Sequence, residues 1–230
     1  MKIEVLFPEI CNLFGDLFNM NYLKLCIPEA EYINTSLTDE PAFVTDNVQM
    51  IYLGPMTERM QETLIEKLMP HRERLVELIE SGTVFLLTGN ACEIFGRYIQ
   101  NEDGSKIEGL DILKMYAKRD MMNRHNSKFL GKFEDATITG FKVQFTMNYP
   151  DSEEHGFVLK EKGIGMNEAS EYEGYRYKNL FVTYLVGPIL VMNPEFTKKV
   201  LALLGIQDRE LAFEAAVSEA HKKRVLEFYE

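Results

Sequence analysis

The chain has 230 residues, of which 46% are hydrophobic, and a formal net charge of −11 at pH 7. A chain of this size can bury one sizeable core, so residues 1–230 are predicted to form a single domain. The acidic balance argues against a nucleic-acid partner, because affinity for phosphate backbones comes from clustered Lys and Arg.

The cysteines and histidines argue against two further classes, disulfide-stabilised proteins and metalloproteins. The chain has three cysteines without a CxxC pair and four histidines that stand apart. Neither a disulfide framework nor a metal site is indicated, and no cofactor is expected. No apolar segment is long enough to cross a membrane, and Met1-Lys2 leads straight into Ile3–Phe7 without a secretion signal. A reducing cytoplasmic location is therefore predicted.

The first half of the chain alternates short apolar runs with longer amphipathic segments. The clearest strands are Val48–Leu53 and Thr83–Leu87, and the segment Thr57–Ser81 between them has helical spacing, with Pro70 expected to break or kink it. This alternation predicts β-α-β crossovers and a mostly parallel sheet.

After Gly104 the pattern changes to short alternating segments separated by Gly, Asn and Pro, which predicts antiparallel strands. The predicted strands are Ala136–Phe141, Gly156–Lys160 and Leu180–Tyr184. The end is predicted to be helical again, over Glu195–Leu204 and Asp208–Phe228, with residues 205–230 forming a C-terminal helical extension.

The segment Val84–Gly96 has the pattern of a buried strand, a tight turn and the start of a helix. Many hydrolases place their nucleophile on such a turn. Here the turn carries Gly89, and the nearest hydroxyl and thiol, Thr88 and Cys92, flank it. The pattern therefore indicates an enzyme scaffold without its reactive atom.

Three further segments resemble, in order and spacing, class I glutamine amidotransferases of the cobyric acid synthase (CobB/CobQ) type. Residues 7–19 read F-P-E-I-C-N-L-F-G-D-L-F-N, beside the family's Y-P-D-x-x-N-x-Y-G-D-x-x-N. Residues 54–61 keep the first glycine and last glutamine of its oxyanion loop, and residues 182–194 resemble its G-T-Y-L-H-G-P-L-L-x-x-N-P. The resemblance spans about residues 3–205 and is strongest to GatD-type glutaminase subunits of lipid II isoglutaminyl synthase.

The resemblance implies an α/β fold: a three-layer, flavodoxin-like amidotransferase sheet with a parallel core and antiparallel extension strands. It also implies that the catalytic groups are lost. The family nucleophile falls on Gly89 and the family base on Val186, and in the family's G-F-E-x-H-x-G motif Lys142 and Gln144 replace the glutamate and histidine. Losing a nucleophile and base that act together costs a factor on the order of 10⁶ in rate.

The function that the resemblance implies is a degenerate amidotransferase-like protein without glutaminase activity, which binds a ligand or acts as a partner subunit of a synthetase. A Mur ligase-type or other ATP-dependent synthetase is the expected partner, and the last helix leaves room for a homodimer. The former glutamine pocket is predicted to be lined by Gly54, Pro55, Met56, Gly89, Asn90, Gln144 and Val186.

The alternative is an active amidotransferase subunit with a non-standard nucleophile. Cys92 lies in the first turn of the predicted helix, where the helix N-terminus lowers a thiol pKa. Such a subunit would supply ammonia for cobyric acid amidation in cobalamin biosynthesis, or for amidation of a peptidoglycan precursor. Thr88 is a weaker candidate, because no base adjoins it in sequence.

A basic cluster in this acidic chain allows two interpretations. Lys118, Arg119, Arg124 and His125 follow one another closely in a loop-like stretch. They form either a site for an anionic ligand or partner, or a solvated turn with a few ion pairs.

Overall fold

A ten-stranded mixed sheet runs through the centre of the computed structural model, which describes residues 1–230. The strands are β1 (Lys2–Leu6), β2 (Glu31–Thr35), β3 (Met50–Leu53), β4 (Val84–Thr88), β5 (Tyr98–Gln100), β6 (Lys106–Glu108), β7 (Met115–Arg119), β8 (His125–Phe133), β9 (Ala136–Gln144), β10 (Thr146–Pro150), β11 (Gly156–Lys162), β12 (Tyr172–Tyr177), β13 (Leu180–Thr183) and β14 (Leu185–Val186). The helices are α1 (Phe18–Cys26), α2 (Glu58–Leu68), α3 (Arg72–Ser81), α4 (Ala91–Phe95), α5 (Ile189–Met192), α6 (Pro194–Leu203) and α7 (Glu214–Leu226).

The large sheet has a parallel half and an antiparallel half. Strands β2, β1, β3, β4 and β13 lie side by side in parallel, the strand order of doubly wound flavodoxin-like folds. The sheet then continues antiparallel through β12, β11, β8, β9 and β14. A second, four-stranded sheet has the order β10-β7-β5-β6. The predicted parallel core with antiparallel extension strands is confirmed. One strand was placed in the wrong part: Leu180–Tyr184, predicted with the antiparallel strands, forms β13, which is buried along its length and pairs in parallel with β4.

Helices cover both faces of the parallel strands, which explains their continuous apolar sequences. On β4, Phe85 and Leu87 join one buried cluster, which includes residues of α2, α3 and α4. Val84 and Leu86 join the other, which includes residues of α1, α5 and α6. Successive side chains of β4 therefore enter the clusters on opposite faces of the sheet. The sheet with helices on both faces forms the predicted three-layer arrangement.

Proline and glycine set the helix boundaries in the first half. The predicted helix over Thr57–Ser81 divides into α2 and α3 at the 3₁₀ turn Met69–His71, which contains Pro70, so the expected break is present. Gly82 then ends α3 with a φ of +90°. This left-handed conformation favours glycine.

The last helix begins later than predicted, at Glu214 instead of Asp208. Asp208 and Phe213 have φ values of +53° and +57°, which are incompatible with a continuous right-handed helix. No residue of α7 is buried. Neither this helix nor any other is long and apolar enough to cross a membrane.

Candidate functional site

The turn after β4 has the geometry of a nucleophile elbow. β4 ends at Thr88, Gly89 has a φ of +58°, and α4 begins at Ala91. This left-handed conformation is strained for most side chains and free of strain for glycine. The sequence therefore predicts the turn correctly, and its tip is glycine.

Pro55 occupies the space in which a side chain at the elbow would begin. A Cβ atom built on Gly89 lies 2.5 Å from Cβ of Pro55 and 3.4 Å from its Cα and Cγ. Two carbon atoms in van der Waals contact are about 3.5–4.0 Å apart. A cysteine at position 89 cannot fit unless the loop that carries Pro55 moves.

The loop after β3 is fastened to the elbow by hydrogen bonds. The N–H of Met56 donates to Oδ1 of Asn90 (3.0 Å), and Nδ2 of Asn90 donates to the carbonyl oxygen of Met56 (2.8 Å). The N–H of Leu13 donates to the carbonyl oxygen of Pro55 (3.1 Å). The N–H of Met56 is therefore already engaged and is not free to bind an oxyanion.

A small cleft of about 130 Å³ adjoins the elbow. This volume is well below the roughly 300–1,000 Å³ of sites for drug-sized ligands. Five of the seven predicted pocket residues line it: Pro55, Met56, Gly89, Asn90 and Gln144. The other lining residues are Leu13, Phe14, Glu58, Glu93, Arg124, Val143, Phe145 and Thr146.

Two predicted pocket residues do not line the cleft. Gly54 lies against the backbone, because a Cβ there would be 2.4 Å from the carbonyl oxygen of Cys11. Val186, the family base position, is buried in β14 and pairs with Phe141. Of the basic cluster, only Arg124 reaches the cleft.

Glu93 is a buried carboxyl group of the cleft that the sequence interpretation missed. Its Oε2 accepts a hydrogen bond from Nε2 of Gln61 (2.9 Å), and its Oε1 accepts one from the Tyr184 hydroxyl (3.0 Å). Burial raises the pKa of Glu93 to about 7, although Gln61 and the charge of Arg119 oppose this increase. Alignment of the elbow motif C-G-G-Y-Q-x-x-G places Glu93 on the family glutamine, and this acidic replacement was the available signal.

Neither alternative nucleophile lies in a reactive setting. Cys92 is fully buried and accepts a hydrogen bond from Nδ2 of Asn148 (3.1 Å), and burial raises the pKa of its thiol. The reactive thiolate is therefore disfavoured. Thr88 is also fully buried, and its hydroxyl donates to the carboxylate of Asp16.

No histidine serves as a base at the cleft, because none of the four lines it. His71 packs against the ring of Phe43, and His155 packs against Tyr175. His221 bonds to the carbonyl oxygen of Met192 through Nδ1, and His125 is the first residue of β8. The site therefore has no thiolate–imidazole pair.

Lys142, which aligns with the glutamate of the family motif, forms a buried ion pair. Nζ of Lys142 lies 3.6 Å from a carboxylate oxygen of Glu173, and both side chains are fully buried. Lys142 also donates to the carbonyl oxygen of Gly165 (2.6 Å), and Glu173 accepts from the N–H of Tyr184 (2.9 Å) and the hydroxyl of Thr183 (2.6 Å). Burial lowers the pKa of Lys142, and the Glu173 charge opposes this effect.

The carboxylate in the segment after β1 is used structurally. Asp16 accepts hydrogen bonds from the Tyr52 hydroxyl (2.9 Å), from Thr88 and from Nδ2 of Asn19 (3.1 Å). Oδ1 of Asn19 in turn accepts from the N–H of Leu190 (2.9 Å). These contacts join the segment after β1 to β3, β4 and α5.

A larger open groove of about 940 Å³ lies between α6 and α7 and contains none of the predicted site residues. Its cationic side chains already pair with carboxylates: Lys198 with Glu214, and Arg209 with Glu29. Nothing in this groove marks a site for chemistry.

Sequence comparison with known proteins finds relatives that carry the name GatD. Over 192 residues the chain is 29% identical to the GatD subunit of lipid II isoglutaminyl synthase (glutamine-hydrolyzing) from Staphylococcus aureus strain N315, covering 83% of this chain and 78% of the relative. It is 25% identical over 204 residues to the GatD subunit from Streptococcus pneumoniae strain R6, covering 84% and 76%. No family model matches the chain.

Solved structures agree on the fold. A crystal structure of a glutamine amidotransferase superposes with a TM-score of 0.56 at 11% identity, covering 89% of this chain and 100% of the other. A glutamine amidotransferase from Thermotoga maritima superposes with a TM-score of 0.55 at 12% identity, covering 97% and 93%. The chain is therefore similar in sequence to GatD subunits and similar in fold to glutamine amidotransferases.

Proposed function

We propose that the chain is a catalytically silent amidotransferase-like subunit of a synthetase. One observation carries this proposal: Pro55 fills the space that a side chain at the elbow position 89 would enter. Loss of the nucleophile alone would leave an open site. Here the site is also closed by a loop that Asn90 fastens to the elbow through two hydrogen bonds.

The relatives support a subunit role, because both carry the name of a synthase subunit. We propose a Mur ligase-type or other ATP-dependent synthetase as the partner. We favour amidation of a peptidoglycan precursor over the cobyric acid route of cobalamin biosynthesis, because the relatives' names refer to lipid II. We assign this function to one domain, residues 1–230, in the cytoplasm, with Gly54 and Val186 outside the ligand-contacting set.

The activity test measures ammonia released from glutamine by the purified chain. We expect none above the uncatalysed rate from the wild type or from Cys92→Ala, because Cys92 is buried and has no histidine beside it. Ammonia release by the wild type that disappears in Cys92→Ala would establish the active subunit instead.

The partner test is affinity purification of the tagged chain from its native cell, followed by identification of the proteins retained. We expect an ATP-dependent synthetase in a fixed ratio with the chain. The ammonia assay is then repeated on the complex, since a partner can reorder a loop. A chain that is isolated only as a monomer or a homodimer would contradict the subunit role.

A further inference from the structure

The second sheet carries a row of stacked tyrosines on its outer face. On β7, Met115 and Ala117 belong to the buried core, so Tyr116 between them lies on the opposite face. Strand pairing places Tyr149 of β10 on one side of Tyr116 and Tyr98 of β5 on the other. The ring centroids are 5.1 Å apart for Tyr98 and Tyr116 and 5.2 Å apart for Tyr116 and Tyr149. All three tyrosines are half-buried.

Two lysines lie against these rings. Nζ of Lys106 is 3.9 Å from the ring centroid of Tyr98, and Nζ of Lys118 is 5.0 Å from that of Tyr149 and 5.7 Å from that of Tyr116. Both lysines are exposed, and neither forms an ion pair. We call these three tyrosines and two lysines the tyrosine–lysine face.

The stack argues against ligands that bind by stacking. Tyr116 has a ring on each side, and Lys106 covers Tyr98 on the side of β6. Nucleic-acid bases and other flat ligands need open ring faces, and at most that of Tyr149 remains open. The three hydroxyl groups are neither buried nor bonded within the chain. The face therefore offers hydroxyl and ammonium groups, which donate hydrogen bonds.

The charge of the tyrosine–lysine face favours an acidic partner. The chain has a net charge of −11, whereas this face has two unpaired cations, with Glu108 opposite Tyr98 at the β6 end of the row. An acidic partner is repelled by most of the surface and attracted here. Carboxylates accept hydrogen bonds from both lysine and tyrosine.

The spacing of the rings favours a helix over an extended segment. An α-helix rises about 5.4 Å per turn, so carboxylates on successive turns match rings that are 5.1 and 5.2 Å apart. Side chains on one face of a β-strand are about 6.7 Å apart, and over three rings they fall out of step by about 3 Å. The matching segment is therefore a helix that crosses the strands along the row.

We propose that the tyrosine–lysine face binds an acidic helix of the synthetase partner, laid across β10, β7 and β5. Carboxylates on successive turns of that helix accept hydrogen bonds from successive tyrosine hydroxyls and pair with Lys106 and Lys118. This inference rests on the proposed function, because it names the surface that holds the synthetase. The face lies on the second sheet and includes no residue of the elbow cleft.

The first test measures the binding of a fluorescein-labelled helical peptide to the full chain by fluorescence anisotropy. The peptide is alanine-based, with glutamates at positions i, i+4, i+7 and i+11 that form one stripe. A control peptide has the same composition, with its glutamates spread around the helix. We expect the striped peptide to bind about tenfold tighter at about 50 mM salt, and the difference to shrink at about 500 mM salt, because exposed charge pairs are screened.

Variants assign the binding to the tyrosine–lysine face. Joint replacement Lys106→Ala and Lys118→Ala should weaken the striped peptide about tenfold. Joint replacement of Tyr98, Tyr116 and Tyr149 by phenylalanine keeps the stacked rings, removes the hydroxyls and should weaken it about threefold. Lys222→Ala is the matched control, since it removes an exposed cation on α7 and should change nothing.

The second test uses the complex with the synthetase, as isolated from the native cell. Lysines of the free chain and of the complex are acetylated with an N-hydroxysuccinimide ester and identified by mass spectrometry. Lys106 and Lys118 should react about fivefold more slowly in the complex, because an interface excludes the reagent, whereas Lys222 serves as the reference.

Three outcomes would overturn the inference. These are equal binding of the two peptides, tighter binding of phosphatidylglycerol vesicles than of the striped peptide, and unchanged acetylation of Lys106 and Lys118 in the complex. The last of these leaves the proposed function intact, because the complex exists. If no synthetase is retained, the proposed function fails, and the peptide titration decides whether the face binds acidic helices.

Discussion

The two regions that align with the family's catalytic motifs differ from those motifs in opposite ways. At the elbow, Gly89 aligns with the cysteine of the family motif, and the apolar ring of Pro55 fills the adjoining space. At the end of β9, a glutamate of the family motif is replaced by Lys142, which forms a fully buried ion pair with Glu173. The first difference is one of packing, and the second is one of charge.

The difference matters for stability. An apolar contact tolerates small adjustments, whereas a buried charge depends on its counter-charge. The elbow should therefore respond to substitutions in proportion to added volume, and the ion pair should respond sharply to loss of either member. The following variants test this contrast.

The largest effect is expected at the ion pair. Lys142→Met should lower the free energy of unfolding by about 3–5 kcal/mol, because it leaves the buried Glu173 without a counter-charge. Urea denaturation measures this change. Lys178→Met is the matched control, since it breaks an exposed pair with Glu80 and should cost less than about 1 kcal/mol. Equal costs at the two sites would show that the buried pair has no special role.

A smaller effect is expected at the elbow. Gly89→Ala should lower the free energy of unfolding by about 2–4 kcal/mol, through backbone strain and collision with Pro55. Gly15→Ala separates the two causes, because Gly15 has a φ of +69° and open space around it. It should cost about 1 kcal/mol. If Pro55 causes the difference, Gly89→Ala will cost no more than Gly15→Ala when both are made in a Pro55→Gly background.

A pH dependence of up to about 3 kcal/mol is expected from Glu93. Its pKa is raised from 4.5 to about 7 in the folded chain. The native state therefore holds this proton more tightly, and the stabilisation is lost as pH rises from 4.5 through 7, at about 1.4 kcal/mol per pH unit.

Glu93→Gln should remove this part of the pH dependence and gain stability relative to the wild type between pH 5 and pH 8. Urea denaturation of both proteins across that range measures the difference. Glu73→Gln, at an exposed position on α3, is the control: its free energy of unfolding should change with pH in the same way as that of the wild type. If the free energy of unfolding of Glu93→Gln showed the same pH dependence as that of the wild type, Glu93 would not titrate in this range.

The smallest effect concerns the thiols. Cys11, Cys26 and Cys92 are all free and buried, so an aromatic disulfide reagent should label none of them in the native chain and all three after unfolding. Rapid labelling of Cys92 in the native chain would contradict the buried setting described above.

The sequence predicts the fold better than it predicts the candidate site. Apolar runs such as Val84–Leu87 are unambiguous because parallel strands bury both faces, and Pro70 and Gly82 mark helix boundaries through local backbone chemistry. Asp208–Phe213 was assigned to a helix incorrectly, since its apolar spacing gives no sign of the two left-handed residues.

The cleft depends on contacts between residues far apart in sequence. Pro55 meets Gly89 and Asn90 bonds to Met56 only because β3 and β4 are neighbours in the sheet. Motif alignment identified these residues, but it could not show that the loop fills the elbow. It also assigned Val186 to the cleft, whereas Val186 is buried against β9, where it pairs with Phe141, and does not line the cleft.

The contact between Pro55 and Gly89 also constrains how this protein could evolve. A cysteine introduced by mutation at position 89 would collide with the proline ring and impair folding before it could provide any benefit to selection. Replacement of Pro55 would have to come first, and alone it supplies no nucleophile. The contact therefore acts as an evolutionary ratchet: any order of mutations that places a nucleophile on the elbow begins with a step that has no advantage of its own.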